Sequence, residues 1–352
     1  MRKLSSIQMA GIVLAILIVA IVGVYVLTDT SSKDDTMVLV DYAGRSVTLT
    51  DPATVASGYP ISTEVMLFIG GESKIIGADS NCISNAFMNS MYPSLAAMEN
   101  LGNPWNLNVE QIVALDPDVF IMGGTSTDMA DQLTALGVPT LCLSFETPDD
   151  FSYALEILGI VLDKEKNADE AIDYYEQQVE EIREKTSDLK SNEKPDVLFL
   201  SFGARGITDF QTPGAGMLQN NLLTLAGGHS VSETQPGGWN AINMDQIAVW
   251  DPDIIIVTSY SSSVTSLDLK AQILSDSTWN VTSAKTEGNV YAFAQDWGSW
   301  DAPTPKWILG LTWMSAHMHP DLYEASYVEN MATEFYGMFY DLTYEEAGVA
   351  GD

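Results

Sequence analysis

The sequence has few basic residues for its length. Only 15 lysines and arginines stand against 48 aspartates and glutamates over 352 residues, which leaves a formal net charge of −33 at pH 7. This balance argues against a nucleic-acid partner, because phosphate backbones are bound by basic surfaces. The acidic residues are spread along the chain rather than clustered. Such a composition suits a surface that stays solvated in high salt better than it suits one cationic partner.

Histidine and cysteine are also scarce, and the few present form no catalytic or metal-binding pattern. His317 and His319 lie two residues apart and so face different sides of a helix, and His229 follows a Gly-Gly helix end, which favours a capping role. Cys82 and Cys142 form no C-x-x-C, and we expect two free, buried thiols, with a bridge outside the cell as the alternative. There is no G-x-S-x-G, P-loop or G-x-G-x-x-G motif, so a protein that is not an enzyme is favoured.

One long apolar run is present near the amino terminus. Arg2 and Lys3 precede Met9–Leu27, which carries no charge over 19 residues and would span roughly 28 Å as a helix, close to the hydrocarbon core of a bilayer. Acidic residues follow it, so the charge bias places the amino terminus in the cytoplasm and the body outside. We predict a membrane anchor over residues 1–27 and a stalk over 28–36, with a cleaved signal peptide as the alternative.

The clearest helix in the body of the chain runs from Asn167 to about Lys190. Asn167 is a favoured N-cap, and Glu170 three residues later would complete a capping box. Glu181 and Lys185 have the spacing of a stabilising ion pair. Apolar residues recur at four- and three-residue spacing along one side, at Ala168, Ile172, Tyr175, Val179, Ile182 and Leu189.

Two stretches that flank this helix repeat one pattern. Leu107–Ile121 (LNVEQIVALDPDVFI) aligns without a gap to Ile242–Ile256 (INMDQIAVWDPDIII), and a Trp-Asn pair precedes each copy, at Trp105 and Trp239. Each copy is typical of a short helix, a D-P-D turn and a buried parallel strand. The repeat predicts an α/β protein of two Rossmann-like lobes with parallel sheets joined by one long helix, plus the amino-terminal transmembrane helix. The predicted boundaries are 37–165 for the first lobe, 166–190 for the linking helix and 191–352 for the second lobe.

Further sequence phrases occur in a consistent order across residues 38–325. They are DYAGRSVTL (41–49), ISTEVMLFIGGESKIIGA (61–78), the repeated N-x-E/D-Q-I and D-P-D phrase, TPGAGMLQNNLLTLAGG (212–228) and W-x-x-x-H-M-H-P (313–320). Together they resemble the class III solute-binding proteins of ABC importers, the iron-siderophore and vitamin B12 binding family. The resemblance implies two lobes with a ligand in the cleft between them, no cofactor of the protein's own, and an ABC permease with its ATPase as partners.

The candidate ligand-binding residues follow the predicted strands, because ligands of open α/β sheets bind outside the carboxyl ends of the strands. Aromatic rings there give binding area at little entropic cost, and Arg205 offers a planar set of donors to an anionic oxygen of a chelate. The alternatives are that each ring fills a local gap and that Arg205 pairs with Asp209. The predicted ligand-binding residues are Ser62, Trp105, Thr125, Arg205, Trp239, Tyr260, Trp297 and Trp300.

Glu110 and Asp245 occupy the same position in the two copies of the repeat. The resemblance implies that an acidic residue here on each lobe meets arginines of the permease, although the family usually has Glu where this chain has the shorter Asp245. An ordinary solvated helix charge is the alternative.

The predicted function is that of an extracellular binding protein which captures an iron chelate of the siderophore type and delivers it to an ABC permease. Cobalamin or haem is the alternative cargo, and for haem Tyr260 or Tyr92 would supply the axial ligand. Free metal ions are disfavoured because no cluster of His, Asp and Glu follows the strands. A surface enzyme or adhesion module on the same two lobes is the alternative from another class.

Overall fold

A computed structural model describes residues 36–124, 127–202, 209–261 and 263–352. Within these ranges we find no helix with the length and apolar character needed to cross a membrane. The anchor predicted over Met9–Leu27 lies outside the described residues.

The first lobe begins with an antiparallel hairpin, which is followed in the chain by the strands of a parallel sheet. Its strands are β1 Thr36–Val40, β2 Ser46–Thr50, β3 Val55–Ser57, β4 Ile75–Ala78, β5 Glu99–Asn100, β6 Gly102–Asn103, β7 Asn106–Leu107, β8 Val119–Gly123 and β9 Thr140–Leu143. Its helices are α1 Pro60–Phe68, α2 Ser80–Ser84, α3 Ala86–Met91, α4 Val109–Leu115, α5 Thr127–Ala135 and α6 Pro148–Leu162. The strands β5-β4-β3-β8-β9 form the sheet in that order. The hairpin turns at Gly44, whose φ of 77° suits glycine.

The helix that joins the two sheets is α7, Glu165–Thr186. The predicted capping box of Asn167 and Glu170 is wrong, because the helix begins before Asn167 and has Lys164 at its N-cap. Asn167 therefore lies inside the first turn. There its side-chain amide donates to the carbonyl of Ile69 at 2.9 Å and ties the helix to the first lobe.

The buried face of α7 is rotated relative to the predicted one. Ile172 and Val179 are only half-buried, because the helix turns its two adjacent tyrosines toward the core. Glu181 and Lys185 form the predicted ion pair on the outer side. The buried residues of the helix are Ala168, Ala171, Tyr174, Tyr175, Gln178, Ile182 and Thr186.

The second lobe has a mixed sheet rather than the purely parallel one predicted. Its strands are β10 Asp196–Phe202, β11 Phe210–Pro213, β12 His229–Ser230, β13 Trp239–Ile242, β14 Ile254–Thr258 and β15 Val290–Ala292. Its helices are α8 Leu218–Leu225, α9 Met244–Trp250, α10 Ser266–Ser275, α11 Ser283–Glu287, α12 Trp307–Met318, α13 Tyr327–Phe339 and α14 Tyr344–Ala347. The sheet order is β13-β11-β10-β14-β15 with β12 beside β10. The strand β11 is antiparallel to both of its neighbours, while β10, β14 and β15 are parallel.

The two copies of the repeat have the same local geometry. Asn108 and Asn243 cap α4 and α9, each accepting a hydrogen bond from the N–H three residues later, at 3.1 and 2.9 Å. Asp116 and Asp251 end these helices in the left-handed conformation, with φ of 50° and 41°. The strands β8 and β14 follow. The predicted helix–turn–strand unit is therefore confirmed in both lobes.

The second aspartate of each D-P-D turn holds the start of the neighbouring strand. The carboxylate of Asp118 accepts from the N–H groups of Ala53 and Thr54 at 3.0 and 2.9 Å. The carboxylate of Asp253 accepts from the N–H of Asp196 at 2.8 Å. The D-P-D residues therefore form the predicted turns, and their second carboxylates also hold the start of a neighbouring strand.

One hydrophobic core extends through both lobes, and aromatic rings form its centre. The Phe68 ring of α1 lies 6.3 Å from Phe335 of α13, and Tyr175 of α7 lies 5.2 Å from Trp307 of α12. The Tyr175 hydroxyl also donates to the carbonyl of Pro305 at 2.9 Å. The helix α13 thus returns to the first lobe, and α7 is not the sole link between the lobes. We call this set the aromatic junction: Phe68, Phe151, Tyr174, Tyr175, Trp307, Phe335, Phe339 and Tyr340.

Cys82 and Cys142 are free and buried, as predicted. Burial raises the pKa of Cys142 to about 11, although the nearby Arg45 guanidinium lowers it in part. Burial also raises the pKa of Cys82, and the neighbouring Asp79 carboxylate adds to the effect. Both thiols are therefore neutral and poorly reactive near pH 7.

Truncation of the aromatic junction should destabilise both lobes together. Phe335 is fully buried where α1, α7 and α13 meet, so Phe335→Ala removes contacts with α1 and α7 as well as contacts within α13. We expect the free energy of unfolding to fall by about 3–5 kcal/mol, measured by denaturant titration at fixed salt.

Met338→Ala is the matched control, because it shortens a side chain on the same helix that is 58% exposed. Its effect should stay within about 0.5 kcal/mol. Equal losses for the two variants would show that the junction does not stabilise the protein.

Candidate ligand-binding cleft

The first wall of the cleft is the start of α1, at the carboxyl end of β3. Tyr59 precedes this helix, and its ring lies against Gly123 at the end of β8, where an added Cβ would come within 2.3 Å of the ring. Position 123 therefore requires glycine because any side chain would clash with the Tyr59 ring, and not because the backbone turns there. The predicted residue Ser62 is fully buried in the same helix, and its Oγ has no hydrogen-bond partner among the described residues. Burial raises the pKa of Tyr59, and Glu146 contributes.

Glu146 follows β9 and reaches across to the second lobe. Its carboxylate Oε2 accepts from the backbone N–H of Leu218, the first residue of α8, at 3.3 Å. Its backbone carbonyl accepts from the side-chain amide of Asn221 at 2.9 Å. Burial raises the pKa of Glu146, partly offset by the bond from Leu218. Glu146 was not among the predicted site residues, and its position after a strand was the only signal for it.

The second wall carries Trp239 and Tyr260, two of the predicted residues. Their rings meet edge to face with centroids 5.7 Å apart. The side chain of Tyr260 is 53% exposed, whereas its hydroxyl turns inward and donates to Asp301. Desolvation of that hydroxyl raises the pKa of Tyr260, and the Asp301 and Glu146 carboxylates add to the effect. The structure brings these rings together beside the first turn of α8.

Asp301 organises the polar groups behind this wall. It is fully buried, and its carboxylate accepts from Thr258 at 2.8 Å and from Gln219 at 3.0 Å, as well as from Tyr260 and Ser299. These donors satisfy the hydrogen-bonding capacity of the buried carboxyl group. Gln219 is 3% exposed, and its Oε1 has no hydrogen-bond partner among the described residues. This acceptor favours a neighbouring group that can donate a hydrogen bond to it.

Two of the predicted tryptophans make contacts with other side chains of the protein. Trp297 stacks on Phe87 of the first lobe at 4.0 Å with an interplanar angle of 6°, so it bridges the lobes. Trp300 is fully buried, and its Nε1 donates to Asp296 and Tyr336 at 3.1 Å each. The prediction that Trp300 contacts the ligand is therefore wrong, because its ring is part of the core.

A buried ion pair lies beneath Trp297. Lys306 is 1% exposed, pairs with the Asp296 carboxylate, and lies 3.8 Å from the centre of the Trp297 ring. Burial raises the pKa of Glu64 in α1, while Lys306 partly lowers it. The other described basic residues lie in the β1–β2 turn, along α7, on outer helices or before a strand. Among the described residues, the cleft therefore has no basic side chain free of an acidic partner.

The remaining predicted residues are dispersed. Trp105 lies between β6 and β7 at the carboxyl edge of the first sheet and is 88% exposed. Glu110 and Asp245 are exposed in the first turns of α4 and α9, which begin at the carboxyl edges of the two sheets. The predicted positions Thr125 and Arg205 lie outside the described residues.

The histidines have structural contacts. His229 pairs with Asp196 at 2.6 Å and lies 3.3 Å from Glu233, so the predicted helix-capping role is wrong. The hydrogen bond to Asp196 raises the pKa of His229. The ring of His317 stacks on Trp313 at 3.8 Å. Over the described ranges, no group of three or more His, Cys, Asp and Glu side chains is arranged to hold a metal ion.

Comparison with known proteins identifies the fold and the family. The family model described as periplasmic binding protein matches residues 55–296. The molybdate-binding protein MolA of Haemophilus influenzae is 22% identical over 342 residues, covering 89% of this chain and 93% of that protein. A vitamin B12-binding protein of Yersinia pestis is 27% identical over 223 residues, covering 61% of this chain and 74% of that protein.

Solved structures agree with this assignment. A periplasmic solute binding protein from Veillonella parvula is 26% identical, with a TM-score of 0.73 over 88% of this chain and 95% of that one. The molybdate-bound MolA of Haemophilus influenzae has a TM-score of 0.74 at 19% identity, over 90% of this chain and 99% of that one, and so shares the fold. The chain belongs to the periplasmic binding protein family, as a class III solute-binding protein of ABC importers.

Proposed function

We propose that this protein captures an iron chelate of the siderophore type in the cleft between its lobes and delivers it to an ABC permease. The observation that carries the proposal is the chemistry of the cleft walls. Aromatic rings stand beside hydrogen-bond acceptors, and no basic side chain free of an acidic partner lies there among the described residues. A large, partly apolar chelate of low net charge matches such walls.

A small oxyanion is a poorer match. Oxyanions are bound by converging N–H donors and basic side chains. The described part of the cleft instead has the Glu146 carboxylate, with the buried acceptors of Asp301 and Gln219 behind its second wall. Molybdate binding therefore stays a property of the relative. In the proposed site Arg205 contacts an anionic oxygen of the chelate, and Trp105, Thr125, Trp239, Tyr260 and Trp297 complete the surroundings of the cargo. Ser62 is fully buried in α1 and would support the first wall from behind.

A corrinoid is the second candidate cargo. The vitamin B12-binding relatives favour it, and an uncharged corrinoid meets the same aromatic walls. Haem is less well matched, because a tyrosine binds haem iron as the phenolate. Burial raises the pKa of Tyr92 to about 12, with Glu64 and Glu72 adding to the effect. The Tyr260 hydroxyl is already donated to Asp301.

The proposal places the body of the protein outside the cytoplasm, as in its family. Residues 9–27 would anchor it to the membrane. Glu110 and Asp245 would contact arginines of the permease, because both lie in first turns at the carboxyl edge of their sheet, the edge that borders the cleft. An enzyme or adhesion module on this fold has no supporting observation among the described residues.

Tryptophan fluorescence should identify the cargo. We expect the ferric complex of a trihydroxamate to quench the full chain with a Kd below micromolar, and Trp239→Ala to weaken this binding at least tenfold because it removes one aromatic wall. Cyanocobalamin and haemin are titrated in parallel.

Trp250→Phe is the control, because it removes an indole at the far end of α9 from the cleft. Its Kd should equal that of the unchanged protein. If no ferric chelate or corrinoid binds below the micromolar range, the proposed cargo class is wrong.

Charge reversal at the docking positions should impair delivery but not capture. With the cognate permease and ATPase in proteoliposomes, we expect Glu110→Arg with Asp245→Arg to reduce cargo-stimulated ATP hydrolysis at least tenfold, because like charges would face each other. The single Glu110 change should have the larger effect, since its side chain reaches further.

Glu287→Arg is the matched control, because it reverses an exposed acidic residue just before β15, at the opposite sheet edge. It should leave ATP hydrolysis unchanged. Full stimulation by the double variant would exclude these residues from the docking surface.

A further inference from the structure

Glu146 connects the two lobes beside the proposed cleft. It belongs to the first lobe, where its backbone N–H donates to Ser144 Oγ at 3.5 Å. Its two acceptor contacts reach α8 of the second lobe: the Leu218 N–H at 3.3 Å and the Asn221 amide at 2.9 Å.

The carboxylate of Glu146 lies close to an aromatic ring of each wall. The Tyr59 ring lies 6.2 Å from that of Phe145, the residue before Glu146, and the Nε2 of Gln219, the residue after Leu218, lies 3.4 Å from the Tyr260 hydroxyl. The carboxylate thus lies between the two walls, in agreement with its effect on the pKa of both phenols. A molecule held between these rings would lie near this carboxylate.

The described surroundings of Glu146 give its charge little compensation. Among the described residues, its carboxylate receives one backbone N–H and, through the amino end of α8, the partial positive charge of the helix dipole. The titratable groups near it in that part of the chain are Asp150 and the two phenols, and Asp150 is acidic too. Gln219, the next residue of α8, adds a buried acceptor without a described partner. A negatively charged cargo would meet repulsion here, in a place partly removed from water, where charges act more strongly than at the surface.

We propose that Glu146 determines the charge of the accepted cargo: the cleft takes neutral or positively charged chelates and discriminates against negatively charged ones through this carboxylate. The inference rests on the proposed function, because it concerns the same cleft. It adds a specificity-determining residue that the sequence pattern did not single out. Arg205 can still meet a single anionic oxygen of the chelate, because selection by Glu146 concerns the net charge of the cargo.

The test uses three ferric chelates that differ only in terminal charge. Desferrioxamine B carries a free amine, its N-acetyl derivative is neutral there, and its N-succinyl derivative is negative, while the ferric trihydroxamate core is the same. We expect the full chain to bind the amine and acetyl forms with similar Kd and the succinyl form at least tenfold more weakly. In Glu146→Gln this gap should shrink to threefold or less, because the amide keeps an acceptor for Leu218 N–H but removes the charge.

Asp149→Asn is the matched control, since it neutralises an exposed acidic residue three positions away, in the first turn of α6. It should preserve the full gap between the acetyl and succinyl forms. An equal Kd for all three chelates in the unchanged protein, or an unchanged gap in Glu146→Gln, would overturn the inference and leave the proposed cargo class intact.

Two corrinoids that differ in charge show whether charge selection by Glu146 is wrong or only the proposed iron-chelate cargo is wrong. If none of the three chelates binds, the same comparison is made with cyanocobalamin and its monocarboxylic acid. A gap that closes in Glu146→Gln then supports charge selection with a different cargo. If no probe binds to either protein, both the proposed function and this inference are wrong.

Discussion

The shared aromatic core between the lobes is the constraint on which the rest of the structure depends. Rings from α1, α7, α12 and α13 meet in the aromatic junction, and one hydrophobic core continues from the first sheet to the second. Large-area contacts of this kind resist independent movement of the two parts far more than a single connecting helix would. The cleft walls are therefore held at a nearly fixed spacing, and the Phe87–Trp297 stack adds a further contact between the lobes.

Local features were predictable from sequence where the interaction is local. The helices and turns of the repeat were predictable because Asn108, Asn243, Asp116 and Asp251 act on backbone groups within a few residues. The rotated face of α7 and the core position of Trp300 were not predictable, because each depends on which distant element packs against it.

The same limit applies to the cleft. That Trp239 and Tyr260 lie together was predictable, because strand ends of α/β folds meet at one edge of the sheet. Glu146 was not among the predicted residues, since an acidic residue in a chain of charge −33 gives little signal by itself. Its partners on α8 lie more than seventy positions along the chain and come near only when the lobes meet. The family and the fold are thus readable from sequence, whereas the charge character of the cleft is a tertiary property.

The distance between the lobes before and after cargo binding tests this account most directly. Spin labels on Leu136→Cys, just after α5 of the first lobe, and on Leu274→Cys, in α10 of the second lobe, report that distance by double electron–electron resonance, because both positions are exposed. A body held together by the aromatic junction predicts one narrow distance distribution that shifts by about 1 Å or less when ferric trihydroxamate is added. A broad distribution, or a shift well beyond about 2 Å, would contradict it by showing that the lobes move as independent parts.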